Sequence, residues 1–167
     1  MASTIFGATL WTSPVNGPNY RHSAPGKNSE VFAIGDPVTE TGAAGLKVVS
    51  AASDLIIGVA TKVATMGASN VTVTTSTVYP EYIPADEGYT FLMGCNSALT
   101  DTKTDSGKYF GLTGATGAVQ VNVSGSVTTT TSRQVEIVRV DPQGLGTSEG
   151  LLEVEVKFFN APSRDSN

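Results

Sequence analysis

The sequence predicts an all-β domain, a compact antiparallel barrel or sandwich, on three observations. No window of a dozen residues carries apolar side chains at the i, i+3, i+4 spacing of an amphipathic helix. The nearest, GAAGLKVVSAASDL at 42–55, holds two glycines and a valine pair. Short runs rich in β-branched and aromatic residues instead follow one another, about eight in all, separated by Gly, Pro, Asn and Asp. Near the end of the chain LLEVEVKFF alternates strictly, with Leu152, Val154, Val156 and Phe158 on one face and Glu153, Glu155 and Lys157 on the other.

Residues 1–30, MASTIFGATLWTSPVNGPNYRHSAPGKNSE, read as an extended N-terminal arm. Pro14, Pro18 and Pro25 argue against a helix or a central strand, since each removes a backbone donor and restrains the residue before it. Ile5, Phe6, Leu10, Trp11 and Tyr20 then stand as isolated apolar anchors, suited to lying across a partner. The alternative is that the arm folds back on its own domain.

Residues 31–160 form that domain. VFAIGDPVTE predicts a strand and then a turn or bulge at Gly35-Asp36-Pro37; TGAAGLKVVS predicts a turn and a second strand. DLIIGVATKVA reads as one β-branched strand, its Gly58 marking a bulge or a close backbone approach. NVTVTTSTVY alternates Val71 and Val73 against Thr72 and Thr74, and its β-branched run is a poor helix. PEYIPADEGY, with Pro80 and Pro84, predicts a connection or an edge, and TFLMGCNSAL a strand. Residues 100–117 read as turn, with Tyr109, Phe110 and Leu112 as an apolar island. AVQVNVSGSV alternates through Val119, Val121 and Val123, and RQVEIVRVDP pairs with LLEVEVKFF. Residues 161–167 are a polar, flexible tail.

Composition narrows the function. The chain has 167 residues, of which 15% are charged, and a formal net charge of −5. One domain of this length buries roughly two-thirds of its unfolded surface and needs neither disulfide nor metal to hold a core. Ordinary domains carry about a quarter charged residues, so this surface is neutral and weakly protected against association. The ten basic residues are scattered singly, which excludes the counterion-releasing stripe of a nucleic-acid binder and disfavours anionic membranes. The opening MASTIFGATLWTSP lacks the basic and uninterrupted apolar regions of a secretory signal. No apolar run approaches the ~20 residues of a membrane-spanning helix. The single cysteine, Cys95, sits among apolar neighbours as a small core residue.

Chemical motifs fail one after another. GTSEG at 146–150 fits the G-x-S-x-G turn that presents a nucleophilic serine. Such a serine needs a base, and the only histidine, His22, lies in the arm more than a hundred residues earlier. A strand follows where a helix is required, so Ser148 belongs to a hairpin turn. One Cys and one His cannot make a zinc site. Glu81, Asp86 and Glu87 read as a solvated acidic loop, and Asp101 with Asp105 lacks the glycine and closing glutamate of a Ca²⁺ loop. GLTGATG, with Gly111, Gly114 and Gly117, is neither a P-loop nor a dinucleotide fingerprint. No catalytic residue, cofactor or metal is expected. Trp11, Tyr79, Tyr82 and Tyr89 are the candidates for a sugar-stacking platform, with the alternative that Tyr79 to Tyr89 cap the end of the barrel.

VFAIGDPVTETGAAGLKVVSAASDLIIGVATKV resembles a segment common in small tailed-phage head proteins. There a strand ending in Gly-Asp-x-Val precedes a Gly turn, a Lys-containing strand and an IIGVA strand. GKYFGLTGATGAVQVNVSG, with RQVEIVRVDPQGLGTSEGLLEVEVKFF, is similar to the C-terminal part of such proteins, so that the likeness spans residues 31–159. The family resembled is that of phage capsid decoration, or cement, proteins. The resemblance implies a compact β-barrel or β-tulip that trimerises on the capsid exterior, at three-fold and quasi-three-fold positions, and fastens the major capsid protein. An N-terminal arm contributes to that contact in the family; no individual site residue is carried over. In this chain Ile5, Phe6, Leu10, Trp11 and Tyr20 are the expected anchors. The competing expectations are another virion part (a head-fibre base, tail tube or tail adaptor) and a carbohydrate-binding β module.

Overall fold

Thirteen short strands make up most of the regular structure in the computed structural model, which describes residues 3, 5–13, 21–42, 45–51, 53–68, 79–85, 88–100, 105–125 and 133–158. The protein is all-β and its sheets are antiparallel, as the periodicity predicts. Six strands form one sheet in the order β1 (Ala8–Thr12), β9 (Thr90–Gly94), β13 (Glu153–Phe158), β12 (Val135–Val140), β10 (Tyr109–Thr113) and β11 (Gln120–Asn122). Five form a second, in the order β2 (His22–Ser23), β8 (Glu81–Pro84), β6 (Gly58–Ala60), β4 (Pro37–Glu40) and β5 (Leu46–Val48). A two-stranded ribbon pairs β3 (Val31–Phe32) with β7 (Ala64–Thr65).

Two cores result, with the five-stranded sheet between them. The larger collects Phe91, Met93, Val135, Ile137, Val154 and Val156 from the six-stranded sheet, packed against Ile56 and Val59. The smaller holds Phe32, Val38, Leu46, Val48, Ala60, Ala64 and Met66, and the ribbon covers it. Val59 thus faces one core and Ala60 the other. A strand buried on both faces has no polar side to present, which is why IIGVA runs apolar without alternation. Gly58 is required there, because a Cβ would press into the Tyr82 ring and Ile83 O.

Several expectations change. DLIIGVATKVA is two strands, β6 and β7, serving different sheets. PEYIPADEGY is not an edge: β8 lies between β2 and β6, and Pro84, whose missing donor would interrupt a longer ladder, closes the strand. The island at 109–113 is a full strand, because β11 and β12 pair with it on either side. NVTVTTSTVY lies outside the described residues except for Tyr79, and the 161–167 tail lies wholly outside them. The ladders do not close into a barrel among the described residues. β1 and β11 are the sheet's edges, and only an isolated parallel bridge, Cys95 to Val121, sets the end of β9 beside β11.

The described part of the N-terminal segment lies along its own domain. β1 pairs with β9 from Ala8↔Met93 to Thr12↔Thr90, and His22 pairs with Tyr82 at the edge of the other sheet. Extended backbone was expected; its partner is the domain itself, because alternation puts Ala8 and Leu10 on the first core.

Two aspartates fix the loops, one buried and one half-buried. Asp36 is fully buried and accepts hydrogen bonds from the N–H groups of Ala33 and Gly117, each at 2.8 Å. It ties the β3–β4 turn to the β10–β11 turn, and so one sheet to the other. Asp54 accepts from the N–H groups of Ser50 and Ala51, both at 3.0 Å, and pairs with Lys47 at 3.1 Å. Burial pushes the Asp54 carboxyl up, but these donors and the lysine together outweigh it and hold it below its ordinary 3.8. A depressed folded-state pKa stabilises above the unfolded value and loses that contribution as pH falls through the folded value. Asp54→Asn should therefore lower stability at neutral pH, and the deficit should shrink on acidification below about pH 4. Urea titrations at a series of pH values would measure it.

Candidate contact surface

Strand periodicity sets what the ribbon shows to solvent. Phe32 and Ala64 face inward as register partners, so Val31 and Val63 point outward, at 46% and 61% exposure. The turn after β3 presents Ile34 at 65%. Gly35, with a φ of +89°, lies against Gly7, where a Cβ would come within 2.9 Å of the Gly35 Cα. That contact is open only to glycine, and it brings Phe6 (53% exposed) and Ile34 to the same end of the molecule. Phe6, Val31, Ile34 and Val63 are each exposed and apolar, Val31 and Val63 on the outer face of the ribbon and Phe6 and Ile34 beside the Gly7–Gly35 contact. Lys62 beside Val63 is the nearest cation in sequence.

The predicted anchors divide. Phe6 and Trp11 are exposed, as a docking role requires. Trp11 is the extra residue of a β-bulge between the pairs Leu10↔Phe91 and Thr12↔Thr90, and a bulge re-aims the side chain it carries. Leu10 is half-buried against the first core. Ile5 is held by its backbone, its carbonyl accepting from Gln120 Nε2 at 3.0 Å. Tyr20 lies outside the described residues. Val31, Ile34 and Val63 were not singled out from the sequence. The signal was VFAI at 31–34, an apolar run that an alternating strand cannot bury completely.

Groups with chemical potential elsewhere are in structural service. Ser148 is exposed in the connection between β12 and β13, an antiparallel pair, whereas His22 stacks on Tyr82 in the other sheet with ring centroids 5.6 Å apart. The Asp141 carboxylate organises that connection by accepting from Leu145 and Gly146 N–H, both at 2.8 Å. Asp105 accepts from Thr100 N–H and pairs with Lys108 at 2.8 Å. The Cys95 thiol is buried, and desolvation pushes its pKa up to about 12. Tyr89 is buried in the first core and Tyr82 packs against the second, so neither offers an open face for sugar stacking. Among the described residues no group of three His, Cys, Asp or Glu is placed to hold a metal, and no helix is long and apolar enough to cross a membrane.

No protein-family model matches the chain, and no curated protein or solved structure matches it either.

Proposed function

We propose that this chain is a structural virion protein, made in the host cytoplasm, that binds the outer surface of a phage capsid as a trimer and cements the head. Its partners are the major capsid protein and further copies of itself. The observation that supports this reading is the exposure of the apolar side chains of Phe6, Val31, Ile34 and Val63 on a domain with few charges. Burying apolar surface gains roughly 25 cal/mol per Å², so one such patch is a weak contact. Three on one trimer act together, and linked contacts raise avidity by about 10²–10⁴. The resemblance to decoration proteins names the partner that such a clamp would grip.

Attachment to heads purified without the protein is the test. Ile34→Asp with Val63→Asp changes exposed positions, so stability should move by about 0.5 kcal/mol or less per site. Co-sedimentation with heads should fall at least about tenfold, a loss of about 1.4 kcal/mol. A folded charged variant that decorates heads as well as the parent would remove the patch from the reading. A parent chain that stays monomeric and never attaches would remove the reading itself.

A further inference from the structure

We infer that the groove holding residues 3–12 is a docking site for the same segment of a second copy, so that β1 is exchanged between subunits. The trimer in which this exchange would close rests on the proposed function; the exchange itself does not. The groove reads backbone. Ser3 N–H donates to Cys95 O at 2.9 Å, and Gln120 Nε2 donates to both Ser3 O and Ile5 O, at 2.9 and 3.0 Å. Gly7 N–H donates to Val119 O and Ala8 N–H to Gly35 O, at 2.8 and 2.7 Å, before the ladder to β9 begins. Gly94 leaves open the space that Ile5 O and the Ser3 side chain fill. Every one of these partners belongs to the body from residue 33 onward, and a second copy presents all of them identically.

Little of the core leaves with the segment. Among its described residues Ala8 is the only fully buried member of the first core, and Leu10 the only half-buried one. The positions of the two strands and the length of chain between them also permit exchange. β1 lies at an edge of the six-stranded sheet and β2 at an edge of the five-stranded sheet. Residues 13–21 join them, a stretch able to reach about 30 Å when extended. Pro14 and Pro18 within it bias their predecessors toward extended backbone. Contacts made in trans repeat those made in cis, so exchange trades loop closure against association. One feature favours association: repulsion between copies with so few charges is small. Head-to-tail donation of one strand per subunit closes a ring when the rotation between subunits closes.

Thr12 and Thr90 supply the test, since their hydroxyl oxygens lie 2.6 Å apart across β1 and β9. Cysteines at both positions stand close enough for a disulfide. Buried Cys95, with its raised pKa, does not compete. Thr12→Cys and Thr90→Cys, each in a separate full-length chain, are co-expressed and oxidised, and the 12–90 linkage is mapped by peptide mass. Exchange predicts this linkage between the two chains as a major species. The double variant linked only within single chains, with no linkage between the co-expressed single variants, would overturn it. Thr9→Cys with Leu92→Cys, a register pair further along the same ladder, repeats the test should loss of the Thr90 hydroxyl, which donates to buried Glu155, prevent folding. A trimeric native mass with intrachain linkage alone would sink the exchange and leave the trimer. Interchain linkage in a protein that never attaches to heads would do the reverse.

Discussion

Replacing Asp36 with alanine is expected to destabilise the fold by about 2–6 kcal/mol, measured by urea unfolding, because it strands two buried donors at about 1–3 kcal/mol each. The N–H groups of Ala33 and Gly117 both end on this carboxylate, one on each oxygen. Neither gains a replacement acceptor from alanine. Asp36→Asn should fall between the two: its carbonyl oxygen satisfies one N–H while its amide turns a donor toward the other. Burial pushes the Asp36 carboxyl above its ordinary 3.8, and the two N–H groups offset this only in part, with Glu30 adding a smaller upward push. A raised folded-state pKa contributes stability that is complete below the unfolded value and is lost as pH rises through the folded one. The advantage of the parent chain over Asp36→Asn should therefore narrow as pH climbs from about 3.8 through the folded value. Asp54 gives the opposite slope, so the two variants distinguish a carboxylate dominated by burial from one dominated by its donors.

The Asp36 staple also marks where sequence reading ends. Gly117 lies 81 positions away along the chain, and nothing near either residue announces the bond. Strands with one apolar face were legible: alternation placed Val154, Val156 and Phe158 inward, although Glu155 on the opposite face is also buried, and the pairing of β12 with β13 made GTSEG a turn. Strands covered on both faces were not. β6 shows no alternation because cores lie on both sides, so its continuation into the ribbon strand β7 was hidden. β10 was masked by Gly111 and Thr113, which pair only because β11 returns beside them. β8 was masked by its prolines. For the contact surface, Phe6 and Trp11 were readable as large apolar residues without a strand to bury them. Val31, Ile34 and Val63 were not, since their exposure depends on the ribbon lying over Val38 and Leu46 with its other face outward.

Phe32→Ala is expected to lower stability by about 3–5 kcal/mol and to weaken head attachment as well. Phe32 is completely buried and is among the largest side chains of the smaller core. Its surroundings are tight: a Cβ on Gly26 would stand 3.2 Å from its ring and press into Met66. Ile137→Ala is the matched control, removing a completely buried side chain from the larger core on β12 at a cost of about 2–5 kcal/mol. Both proteins should unfold at lower urea. Only Phe32→Ala loosens the ribbon that carries Val31 and Val63. At a temperature where both variants remain folded, Phe32→Ala should therefore bind heads poorly while Ile137→Ala binds near the parent level. Equal loss in both would mean that attachment follows global stability and that the ribbon is not the docking face. Equal retention would move the contact elsewhere, to the bulge at Trp11 or the exposed Leu145 at the tip of the β12–β13 connection.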